Sequence, residues 1–107
     1  MNGILVRLAG FAAAMATALR LRRGRAATIL VTADPESALL SSAAALRRLG
    51  ARITRYDAET GTIEARVPPT AGIVRLRAAA NYALTTRLRL EGNVPAVIRR
   101  FRDALSG

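Results

Sequence analysis

Two-residue alternation in three runs between positions 62 and 90 narrows the folds open to this chain more than any other pattern in it. Ile63, Ala65, Val67, Val74, Leu76, Ala78, Leu84, Thr86, Leu88 and Leu90 form one set, and Thr62, Glu64, Arg66, Ile73, Arg75, Arg77, Thr85, Arg87 and Arg89 form the other. Successive side chains of a strand point to opposite faces, so the pattern specifies a sheet with one apolar and one polar face. A sheet solvated on one side is typically antiparallel, and its apolar face needs a covering layer of helices.

The helices announce themselves by their ends. Asp34, Pro35 and Glu36 supply an N-cap, a proline at the first helical position and an acid in the first turn, while Arg47, Arg48 and Gly50 mark the other end. A helix over residues 35–49 is predicted, with Leu39, Ala43, Leu46 and Gly50 on its packing side, Leu40 and Leu49 beside them, and Ser41 and Ser42 on its surface. Val94, Val97, Ile98, Phe101 and Leu105 trace one face of a second helix whose other face holds Arg99, Arg100 and Arg102; Asn93 is the expected N-cap, and Pro95 falls in the first turn.

Thr28 to Thr32 is a short β-branched run and reads as a strand within residues 26–33. Residues 51–56 and 62–67 flank an Asp57-to-Gly61 turn, with Gly61 expected at positive φ. Residues 68–72 interrupt the pattern, and residues 73–78 and 83–90 read as two more strands joined near Asn81. The order is β-α-β-β-β-β-α: an α+β, two-layer unit with a mostly antiparallel sheet over residues 26–107.

An Ala-rich helix precedes it. Ile4, Leu8, Phe11, Met15 and Leu19 place the bulky side chains of residues 3–19 on one stripe, and Arg20, Arg22, Arg23 and Arg25 follow. A spanning helix needs roughly 20 apolar residues, so this run is slightly short. Positive charge after the apolar run rather than before it is unlike a secretory signal. Residues 1–25 therefore read as an anchor or docking helix, and if they span, the arginine cluster keeps the domain on the cytoplasmic side. The nine residues Ile4, Leu8, Phe11, Met15, Leu19, Arg20, Arg22, Arg23 and Arg25 are the candidate membrane-interface set.

Composition removes most chemistry. The chain has no His and no Cys, which excludes the usual general base near neutral pH, thiolate nucleophiles and the commonest transition-metal ligands. The seven acids, Asp34, Glu36, Asp57, Glu59, Glu64, Glu91 and Asp103, each have a place as a cap, turn or surface residue. There is no phosphate-binding glycine loop and no nucleophile elbow. No enzymatic activity, cofactor or metal is expected.

The formal net charge is +10, and every basic residue is arginine. Arg66, Arg75, Arg77, Arg87 and Arg89 all fall in the polar set of the sheet, an arrangement suited to gripping phosphates. Sheets that read single-stranded RNA carry stacking aromatics on the exposed face, and this set has none.

Ala45, Leu46, Arg47, Arg48, Leu49 and Gly50, then the run from Asp57 to Ala65, then Ile98, Arg99, Arg100 and Phe101 resemble a family of small bacterial domains of unknown function, over roughly residues 35–105. Members of that family often sit behind a hydrophobic N-terminal segment. Arg75 and Arg77 stand where the family's fourth strand carries paired acids. The order β-α-β4-α is also similar to that of the TATA-binding and helix-grip folds, in which a curved antiparallel sheet wraps a C-terminal helix; a fold alone carries no function.

The functional expectation is a non-catalytic accessory or interaction module, tethered by its N-terminal helix to an anionic membrane surface or a membrane protein partner. The alternative is a soluble basic module that binds nucleic acid non-specifically through the arginine face. A third reading is a small-molecule carrier that uses the space between sheet and C-terminal helix.

Overall fold

The computed structural model describes residues 25–107, and within them seven elements follow in the expected order. They are β1 (Arg25–Val31), α1 (Pro35–Arg48), β2 (Arg52–Asp57), β3 (Thr62–Val67), β4 (Gly72–Ala80), β5 (Thr86–Gly92) and α2 (Pro95–Ser106). The architecture is α+β: one five-stranded sheet in the order β1-β5-β4-β3-β2, antiparallel at every neighbouring pair, with both helices packed on it. β1 and β2 are consecutive strands at opposite edges, so α1 carries the chain across the sheet and the β2–β5 meander brings it back.

The ends of α1 are set by the residues that announced it. The Asp34 carboxylate accepts the Ser37 amide at 3.1 Å, Pro35 occupies the first turn, and Arg47 and Arg48 lie in the last. At the far end Gly50 takes φ +88°, letting the Ala51 amide reach Leu46 O at 3.0 Å and the Gly50 amide reach Arg47 O at 3.0 Å. That pair of bonds is a Schellman closure, and the left-handed residue in it is naturally glycine.

The buried arc of α1 differs in part from the one expected. Ala38, Leu39, Ser42, Ala43, Ala45 and Leu46 are buried, while Leu40 is exposed. The helix packs against α2 as well as the sheet, which widens the covered arc toward Ala38 and Ser42; Leu40, about 100° beyond Leu39, falls outside it. Ser42 is therefore a core residue and not a surface one, and its hydroxyl is satisfied by donating to Ala38 O at 2.7 Å.

Phe101 is the largest fully buried side chain among the described residues and, with Val97 and Ile98, fills the space between α2 and the sheet. The Arg48 guanidinium donates to Ala104 O and so ties the end of α1 to α2. Thr86, the buried polar residue of β5, donates to Ala33 O at 2.7 Å.

Two loops depart from expectation. The N-cap of α2 is Val94, with no side-chain capping bond, and not Asn93. Pro95 at the first helical position requires an extended residue before it, which moves the cap one residue along. Asn93 Oδ1 instead accepts the Ile73 amide at 2.8 Å and pins the start of β4 to the end of β5. The fifth strand begins at Thr86 rather than near residue 83, because Ala83 and Leu84 take φ +57° and +59° in a four-residue turn closed by Thr85 N to Tyr82 O at 3.1 Å. Leu84 is thereby 86% exposed at the hairpin tip instead of facing the helices, beside Tyr82 at 89%.

The β2–β3 turn forms as its residues predict. Asp57 Oδ1 accepts the amides of Glu59 and Thr60 at 3.0 and 3.3 Å, and the Thr60 bond is the main reason its carboxyl titrates below the ordinary Asp value. Gly61 has φ +68°, and a Cβ there would lie 2.5 Å from Ala78 O. Glycine is required at this position by both conformation and space.

Candidate anion-binding face

The strand registers bring the charged residues of four strands onto the side of the sheet away from the helices. Glu64 of β3 stands opposite Arg75 of β4, which stands opposite Glu91 of β5. In the next row Thr62, Arg77, Arg89 and Thr28 follow one another across β3, β4, β5 and β1, and beyond it come Ala79, Arg87 and Leu30. Arg66, Arg75, Arg77, Arg87 and Arg89, the five arginines expected on this face, are all there and exposed, while Thr85 belongs to the turn.

Two further arginines join them that strand alternation does not place there. The β2–β3 register runs Arg52 to Arg66, Ile53 to Ala65, then Arg55 to Glu64, with a shift between Ile53 and Arg55. Thr54 is the extra residue of a β-bulge, and its hydroxyl replaces a ladder bond by donating to Glu64 O at 3.1 Å. The bulge inverts the alternation midway along β2, so Arg52 and Arg55 share the open face while Ile53 and Tyr56 share the helix face. A hydroxyl residue beside an arginine in an otherwise alternating strand was the available signal, and a weak one.

Seven arginines thus stand against three carboxylates, Asp57, Glu64 and Glu91. The ion pairs are Arg75 to Glu64 at 3.2 Å, Arg55 to Asp57 at 3.5 Å and Arg89 to Glu91 at 3.6 Å. Arg52, Arg66, Arg77 and Arg87 have no carboxylate within 4 Å among the described residues, and Arg87 instead donates to Asn81 Oδ1 at 3.1 Å. Arg52 lies directly across from Arg66, and Arg77 directly across from Arg89. Side chains so placed have Cβ atoms about 4.5–5.5 Å apart, and like charges there oppose folding. Bound anions would relieve that repulsion.

Among the described residues the face carries no aromatic ring; Tyr56 belongs to the helix side of β2, and Tyr82 to the hairpin tip. Leu30 and Ile73 are its large exposed apolar residues among those described, at 58% and 50%. No group of three metal-ligating side chains occurs among the described residues. Among the acids, Asp34 titrates below its ordinary value because of its bonds to Ser37 and serves as a helix cap.

Of the membrane-interface set, Ile4, Leu8, Phe11, Met15, Leu19, Arg20, Arg22 and Arg23 lie outside the described residues, and Arg25 opens β1 opposite Gly92. Among the described residues no helix is long and apolar enough to cross a membrane. No family model, curated protein or solved structure matches this chain.

Proposed function

We propose that this chain is a non-catalytic interaction module that lays its open sheet face on the anionic headgroups of a membrane to which residues 1–25 tether it. The observation that carries the reading is the pairing of Arg52 with Arg66 and of Arg77 with Arg89 on an aromatic-free face. Like-charge pairs of this kind weaken the free domain and are compensated by an extended anionic surface. A lipid surface suits the face because its arginines are spread over four strands, with Leu30 and Ile73 among them to meet the interface. Nucleic acid is the less favoured polyanion, since among the described residues the face has no ring on which a base can stack.

The test is partition of the full chain onto vesicles of phosphatidylcholine alone and with phosphatidylglycerol. Each arginine near an anionic surface contributes about 1 kcal/mol, so the double substitution Arg77→Gln and Arg89→Gln is expected to reduce the preference for anionic vesicles about 30-fold. Its partition onto neutral vesicles, which reads the N-terminal segment, is expected to stay unchanged. A chain of residues 25–107 is expected to lose the neutral partition and keep a weak, salt-sensitive anionic one. An unaltered anionic preference in the double variant overturns the reading. Binding to duplex or single-stranded DNA that exceeds vesicle binding at physiological salt replaces it with the nucleic-acid one.

A further inference from the structure

The two edges of the sheet are built differently. β2 carries a bulge at Thr54 and two arginines, devices that discourage another strand from pairing with it. β1 has no bulge and its one arginine, Arg25, is its first residue: it pairs with β5 through seven consecutive residues without a register shift, and from Ala26 to Val31 it contains no charge, no proline and no glycine. Among the described residues nothing pairs with its outer edge, so alternate backbone amides and carbonyls there are left without sheet partners.

Beside that edge runs a groove of about 520 Å³ between β1 and α2. Ala26 and Ala27 leave it open, Ile29, Pro95 and Ile98 make it apolar, and Arg99 and Arg102 stand over it from the outer side of α2. Neither arginine has a carboxylate within 4 Å among the described residues. A strand laid along β1 would have its helix-side residues meet Ile98, Arg99 and Arg102.

We propose that β1 and this groove dock an extended, acidic segment of another protein, which adds as a sixth strand and places acidic and small apolar side chains alternately against Arg99, Arg102 and Ile98. Backbone bonds to the free edge supply affinity, and the groove supplies selectivity, as in other strand-addition complexes. Charge decides against a second copy as the occupant. Symmetric β1-to-β1 pairing would bring the Arg99 and Arg102 of both copies to one seam, in a chain of net charge +10. The inference concerns a different surface from the arginine-covered sheet face and stands or falls separately from it.

The experiment titrates the full chain into a dye-labelled, end-blocked peptide, Glu-Thr-Val-Thr-Glu-Thr-Val-Thr-Glu, whose alternate residues present Glu and Val on one side and Thr on the other. Fluorescence anisotropy is expected to show saturable binding, reduced at least 10-fold by N-methylation of alternate backbone amides. The exposed double substitution Arg99→Glu and Arg102→Glu is expected to weaken this peptide at least 10-fold and to gain affinity for the version with Lys in place of Glu. Arg77→Gln with Arg89→Gln is expected to bind the peptide normally while losing its preference for anionic vesicles. Equal binding of the N-methylated peptide reduces the contact to nonspecific charge attraction and overturns strand addition. Absence of binding by the full chain, whether because its own N-terminal residues or a second copy fills the edge, overturns it as well.

Discussion

The two faces of the sheet are made by the same strands and divide their duties by parity. On the helix side Ile63, Ala65, Val74, Leu76, Leu88 and Leu90 are buried with Phe101, Leu39 and Leu46, and none is charged. On the open side the alternate positions of the same strands hold five arginines, the bulged strand β2 adds two, and like charges face each other at two places in the ladder. One face holds the domain together by removing apolar surface from water, and the other gives up a little of that stability to present charge. Substitutions on the two faces should therefore have separable consequences.

The sharpest break is Phe101→Ala. Removing a fully buried ring between α2 and the sheet is expected to cost about 3–5 kcal/mol, read as a lower urea midpoint, because the surrounding strands cannot collapse into the space. At temperatures where the variant stays folded, its preference for anionic vesicles is expected to match that of the parent chain. A loss of that preference in the folded variant would mean that the two faces are coupled.

A smaller effect is expected at the start of α1. The Asp34 carboxylate titrates below its ordinary value in the folded chain, so its contribution to stability is present above the unfolded pKa and is lost as pH falls through the folded one. Asp57 behaves in the same direction through the amides it accepts in the β2–β3 turn. Denaturation midpoints are expected to fall as pH drops from about 5 toward 2. Asp34→Ala should lower the midpoint at neutral pH and flatten part of that acid loss; equal losses in variant and parent would remove the cap from the account.

The smallest effect carries the opposite sign. Arg77→Glu replaces a cross-strand repulsion with an attraction to Arg89 and is expected to stabilise the domain by about 0.2–1 kcal/mol in urea denaturation. The same substitution is expected to weaken anionic vesicle binding. A variant that lost stability would show that the Arg77–Arg89 row is already compensated within the free domain.

Much of this molecule is legible because its local signals are strong. Asp34, Pro35 and Gly50 set the limits of α1 through backbone preferences that need no distant partner, and Asp57 with Gly61 does the same for a hairpin turn. Alternation from Thr62 onward sorted most inward residues and identified five of the seven arginines of the open face. Arg52 and Arg55 were not sorted, since nothing in a period-two pattern announces that Thr54 will bulge.

Leu84 reads as a core residue by parity, yet it sits at the hairpin tip, because the strand's length is set by the register of β4 with β5 rather than by its own residues. Asn93 reads as a cap by type, yet it binds Ile73 across the sheet. The element order and the existence of an apolar and a charged face are properties of residues and their near neighbours, and the sequence by itself determined them. Which strand lies at an edge, which arginines face each other, and the groove between β1 and α2 depend on contacts between residues far apart in the chain. Those were decided only when the sheet closed between β1 and β5 and the two helices packed across it.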